Sequence, residues 1–195
     1  MNFVKLLNFE LQRFIKFWLA LALIMTVMQV SGAIYSAKSY VKYSTETIKH
    51  EQLETVDFLI NYGPYTMSNY LNTSFFMFSI MLVATVIGIY IFFIWYRDWL
   101  GKSAFMYRLL MLPSSRIHIY TSKLTTILLI LLGLTGYQLV LLTVAQRIIQ
   151  SIVPAQLYLN ESIVYMYSTP ILALIYPNTL LEGVLLYGIG VALVT

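Results

Sequence analysis

The chain contains no cysteine, which excludes disulfides, thiolate nucleophiles and cysteine-ligated zinc or iron–sulfur centres. Charge is nearly as scarce, with Asp, Glu, Lys and Arg making up 10% of the 195 residues against roughly 25% in soluble domains. So thin a polar coat does not keep a chain that is 59% hydrophobic in water. Its uncharged runs reach the roughly 20 residues that cross a hydrocarbon core, so the sequence reads as all-α, a polytopic membrane helical bundle. The net charge of +4 does not indicate nucleic acid, because the basic residues cluster beside hydrophobic runs as cytoplasmic membrane flanks do. The first apolar run also lacks the small-residue cleavage site of a removable signal peptide.

Phe3, Leu7, Leu11, Phe14 and Trp18 recur at helical spacing, with Lys5, Asn8, Gln12 and Lys16 on the opposite side. This pattern predicts an N-terminal interfacial helix over 2–16, followed by a first span over about 17–35 with Trp18 and Tyr35 as anchors at its two ends. Lys5, Arg13 and Lys16 place that N-terminus in the cytoplasm of a plasma-membrane protein. From Ser36 to Asn72 the chain turns polar and near-neutral, which suits an outer loop, and Asn61-Tyr62-Gly63-Pro64 ends a short helix within it. Further spans are expected over about 74–96 and 124–146. Between 151 and 181, Pro170 and Pro177 interrupt an uncharged stretch, which predicts outer re-entrant or interfacial helices rather than a crossing. The run 183–195 is too short to cross and reads as the start of a truncated fourth span, all within a single transmembrane domain.

The strongest positive bias lies between the second and third spans, where Arg97, Lys102, Arg108, Arg116 and Lys123 face the single acid Asp98. In that cytoplasmic loop Phe105, Leu109 and Leu112 share one helical face, and Pro113 ends the helix because it has no N–H to donate. Asp98, Gly101, Leu112-Pro113-Ser114-Ser115-Arg116 and Lys123, together with the interfacial N-terminal helix, resemble the membrane subunits of type-2 ATP-binding-cassette (ABC) transporters. The resemblance covers the whole chain in topology and a short motif in detail, with Asp98 where the family often has Glu. It implies a permease subunit that exports a hydrophobic or amphipathic peptide, toxin, drug or lipid-linked molecule. It also implies that the loop helix is a coupling helix docking on a separate ABC ATPase, which would hold the ATP and Mg. Phe105, Tyr107, Leu109 and Leu112 would pack against that ATPase, Arg108 and Arg116 would meet its acids or lipid headgroups, and a second permease copy or homologue would complete a dimer.

No engine is expected in this chain itself, and it is not read as an enzyme. Gly101-Lys102-Ser103 imitates the end of a phosphate-binding loop, but Tyr96 stands where the pattern demands its first Gly. His50 and His118 have no converging ligand set that would hold a metal. The spans carry Thr26, Gln29, Thr85, Thr135 and Gln138 but no acid or base, which argues against an ion-coupled carrier and an intramembrane protease. Helix packing accounts for those polar groups. Phe75, Phe76, Met77, Phe78 and Met81 read first as lipid-facing and second as a cargo path. The alternative to transport is a membrane immunity or scaffold protein that binds a partner through the same basic loop.

Overall fold

The computed structural model describes residues 3–52, 54–100 and 116–160. They form five helices, α1 (Phe3–Glu51), α2 (Thr55–Tyr62), α3 (Met67–Leu71), α4 (Ser74–Leu100) and α5 (Arg116–Ile152). No strand occurs among the described residues; there is one isolated bridge between Tyr65 and Tyr158. The all-helical class is as expected, and α1, α4 and α5 are each long and apolar enough to cross a membrane. The expectations for Gly101, Phe105, Tyr107, Arg108, Leu109, Leu112 and Pro113, for the outer region past 160, and for the run 183–195 lie outside the described residues.

Helix α1 corrects two of the expected boundaries. Its 49 residues extend about 73 Å at 1.5 Å per residue, running without a break through both the limit near residue 16 and the polar stretch after Ser36. Amphipathicity at its N-terminus has a packing cause. Phe14 is buried against Tyr90 of α4, with ring centroids 4.3 Å apart, and Phe17 stacks on the same ring at 5.1 Å. Lys5, Asn8, Gln12 and Lys16 remain on the exposed side. At the other end, the polarity of residues 36–51 reflects a solvated helix face rather than a loop. Lys49 and His50 lie in the last turn, where cations meet the negative end of the helix dipole, and Gln52 closes the helix in the left-handed region at φ 52°.

Short helices then bring the chain back. Gly63 ends α2 at φ 77° and donates its N–H to the Leu59 carbonyl at 3.0 Å, so the expected turn at 61–64 is present. Thr73 accepts the N–H of Met77 at 3.1 Å as α4 begins, and α4 starts at Ser74 as the sequence predicts. After α5, Pro154 prevents another helical turn, and the chain pairs back through Tyr65 N–H to Leu157 O at 2.8 Å and Leu159 N–H to Tyr65 O at 3.0 Å.

The chain divides into two compact units. In one, described residues 3–23, 81–100 and 116–136 bury Phe14, Leu21, Val83, Ile87, Ile91, Ile127, Ile130 and Leu134. In the other, described residues 24–80 and 137–160 bury Ala33, Ala37, Phe58, Tyr65, Met67, Tyr70, Phe76, Ala145 and Ile149. The alanines let backbones approach closely. Gly32 marks the tightest approach, since a Cβ there would lie 2.8 Å from the Phe75 Cβ. Leu19, Leu23 and Val27 of α1, Phe78, Met81, Ile89 and Phe92 of α4, and Leu132, Val140 and Val144 of α5 stay exposed. Within the Met and Phe stripe Phe76 is fully buried, and Phe75, Met77, Phe78 and Met81 are on the open side.

Candidate functional site

Two sets of residues stand out, one at the loop ends that the sequence singled out and one in the helical core. Helix α4 runs to Leu100 and carries Asp98 in its last turn, and α5 begins at Arg116. The two longest uncharged runs of the molecule therefore end in helix directly at the basic loop. Lys123 lies two turns into α5 and is only 6% exposed, in the same stretch as buried Ser122 and Thr126. It belongs to the packed interior of its unit rather than to an open docking face, because the helical repeat turns residues 122, 123, 126, 127 and 130 inward together. The other expected loop contacts, from Gly101 to Pro113, lie outside the described residues.

The second set is an amide clasp. Gln29 of α1 and Gln138 of α5 are both buried and bond reciprocally, with Gln29 Nε2 donating to Gln138 Oε1 at 2.7 Å and Gln138 Nε2 to Gln29 Oε1 at 3.2 Å. Gln29 Nε2 also reaches Ser79 Oγ of α4 at 3.2 Å, and Ser79 donates onward to the Phe76 carbonyl at 2.9 Å. Tyr70 adds a bond to the Gln29 carbonyl at 3.2 Å, and Thr26 shares a 2.6 Å bond with Tyr137. Three helices are thus joined by groups that are neutral at any ordinary pH. Such groups fix register and relay no charge.

The sequence brought Thr26, Gln29, Thr85, Thr135 and Gln138 forward as one class, and the structure divides them. Thr26, Gln29 and Gln138 bond between helices, whereas Thr85 and Thr135 each donate to a carbonyl of their own helix, Met81 O at 2.8 Å and Leu132 O at 3.1 Å. Ser79 and Tyr70 were not singled out by sequence. Their signal is indirect, since a lone amide in an apolar run needs partners and hydroxyls near the ends of other runs are the available ones.

Next to the clasp, in the same unit, lies a tyrosine-rich cap. Tyr65 shares a 2.7 Å bond with Ser36, and Tyr40 donates to the Gly63 carbonyl at 2.9 Å. Phe58 is buried and stacks on Tyr62 at 5.1 Å. Burial pushes the Tyr65 phenol above its ordinary value, although the Ser36 bond pulls the other way. Tyr70 is raised further, chiefly by burial. Exposed Tyr62 is raised by its hydrogen bond to the Glu51 carboxylate. All three stay protonated as donors or acceptors across the physiological range. The Tyr158 hydroxyl is buried and has no hydrogen-bond partner among the described residues.

His50 is exposed near the end of α1, and among the described residues no three of His, Cys, Asp and Glu converge as metal ligands would. The chain matches no family model, no curated protein and no solved structure.

Proposed function

We propose that this chain is a membrane-spanning permease subunit of an ABC exporter, set in the cell membrane with its N-terminus in the cytoplasm. Its cargo would be hydrophobic or amphipathic, and ATP would be hydrolysed with Mg on separate ATPase subunits paired with two permease chains. One observation carries the reading. The basic loop, with its Leu112-Pro113-Ser114-Ser115-Arg116 element, is flanked by helix up to Leu100 and from Arg116. A push on that loop would pass directly into α4 and α5, each far stiffer than a loop.

The uncharged stretches of α1, α4 and α5 support membrane crossing. Residues 17–37 of α1 lie between Lys16 and Lys38 and cover about 32 Å, close to the ~30 Å hydrocarbon core. The positive bias at residues 97–123 supports the assignment of that loop to the cytoplasm. Spans without acids or bases favour transport driven by a partner over ion coupling.

The test is assembly. Leu109→Asp places a charge on the apolar face of the loop helix, and it should abolish co-purification of an ATPase subunit while the chain still inserts in the membrane. The unchanged chain should stimulate vanadate-sensitive ATP hydrolysis by that subunit. A stable native complex without any ATPase would reject transport and leave the scaffold alternative.

A further inference from the structure

Where α1 leaves its apolar stretch, one of its faces is open to the surroundings among the described residues. Ser31, Ile34, Tyr35, Lys38, Ser39 and Lys42 line a shallow groove of about 420 Å³. Its lower part is apolar, formed by Ile34 and the Tyr35 ring, which is 62% exposed and lies 5.5 Å from the Phe75 ring. Its upper part carries two ammonium groups and a hydroxyl. Lys38 and Lys42 are four residues apart and therefore lie on one side of the helix.

Position along the helix gives this groove its meaning. Lys38 is the first charge after the stretch that begins at Lys16, and it stands about 4.5 Å beyond Tyr35 along the axis. Headgroups occupy roughly 5–7 Å on either side of the hydrocarbon core. Side chains on a helix lean toward its N-terminus, which here is back toward the apolar stretch. The Lys38 stem therefore passes over Ile34 and Tyr35, one turn back, and the Lys42 ammonium follows one turn farther out, beside Glu46. Among the described residues, Glu46 pairs with Lys42 at 3.8 Å, with both side chains largely exposed. Such an i,i+4 surface pair is weak and screened, so the groove keeps a net positive rim above an apolar floor.

We propose that this groove binds an anionic glycerophospholipid. The phosphate would lie between the Lys38 and Lys42 ammoniums with Ser39 donating to it, and the start of an acyl chain would lie along Ile34 and Ser31. Charge on the rim and apolar surface below it match the two parts of such a lipid, and a soluble anion would use only the first. The site requires that α1 cross the membrane and is independent of the cargo.

The measurement is native mass spectrometry of the detergent-solubilised full chain after exposure to phosphatidylglycerol, phosphatidylcholine or inorganic phosphate. Phosphatidylglycerol should be retained about fivefold more than phosphatidylcholine, the ratio that corresponds to the roughly 1 kcal/mol one lysine contributes near an anionic surface. Lys38→Gln with Lys42→Gln should bring the two lipids to equal retention, and the double arginine replacement should preserve the preference. Glu46→Gln, which frees Lys42, should raise phosphatidylglycerol retention about twofold. Lys49→Gln, about 10 Å farther out on the same helix, should leave it unchanged. Equal retention of both lipids by the unaltered chain would overturn the proposal, as would an equal loss with Lys49→Gln. Displacement of phosphatidylglycerol by millimolar inorganic phosphate would reduce the groove to a free-anion site and overturn it as well.

Discussion

The two compact units are built from parts of the same three long helices, and different contacts stand out in each. Residues 24–80 and 137–160 are pinned by direction-specific bonds, such as the Gln29–Gln138 pair, the Ser36–Tyr65 bond and the Tyr40 bond to the Gly63 carbonyl. In residues 3–23, 81–100 and 116–136, Phe14, Phe17 and Tyr90 cluster and Leu21, Ile87, Ile127 and Leu134 are buried. Dispersion contacts tolerate small sliding of one helix on another, whereas a reciprocal amide pair has one register that satisfies it.

The largest expected effect breaks the clasp. Gln138→Leu alone leaves the Gln29 amide buried with a lost partner and should destabilise the chain by about 1–3 kcal/mol. Gln29→Leu combined with Gln138→Leu removes both polar groups and should recover most of that loss. Denaturant unfolding in mixed micelles separates the two cases, and a double variant weaker than both singles would show that the clasp is not what fixes this unit.

A smaller effect comes from paired glycines. Gly32→Ala forces a Cβ to 2.8 Å from the Phe75 side chain, an overpacking that typically costs about 1–3 kcal/mol, partly offset by the roughly 1 kcal/mol by which Ala favours helix over Gly. Gly133→Ala would place its Cβ 3.6 Å from the Trp18 ring, an ordinary contact, so only the helix gain remains. Thermal unfolding should fall for the first and hold or rise for the second. Equal losses at both sites would erase the contrast between the units.

The smallest effect is alkaline. Unfolded phenols ionise near pH 10, whereas burial makes Tyr65 and Tyr70 hold their protons to higher pH. Their contribution is complete below about pH 10 and is lost as pH climbs toward the folded-state values. Tyr65→Phe with Tyr70→Phe should flatten that alkaline decline when unfolding is followed by near-ultraviolet circular dichroism.

Much of the helical outline was legible. Gly63 and Pro64 mark the end of α2, and the uncharged runs after Ser74 and Leu124 mark α4 and α5, because lipid-crossing helices announce themselves by length and by the absence of charge. The extent of α1 was not legible. Lys38, Lys42, Glu46 and Glu51 read as an outer loop, although spaced about one turn apart they decorate one side of a helix whose other side buries Ala37 and Ser44. Amphipathic spacing at Phe14 likewise indicates a buried face without saying whether lipid or Tyr90 covers it. For the clasp, the sequence supplied Gln29 and Gln138 but not their pairing, since partners 109 residues apart are set by tertiary register. Lys123 entered the sequence reading through the basic loop and the motif resemblance, and its burial in α5 comes from helical phase, which charge and motif do not show.

The Tyr65–Tyr158 bridge carries a consequence for the order of assembly. Its backbone bonds join the α2–α3 connection to residues 157–159, which leave the ribosome long after the connection itself. With chain synthesis at about 5–20 residues per second, the connection waits several seconds before its partner exists. During that interval Tyr65 lacks the two backbone partners that Leu157 and Leu159 later supply. The α2–α3 connection thus completes its backbone pairing only after all of α5 and residues 157–159 have been made.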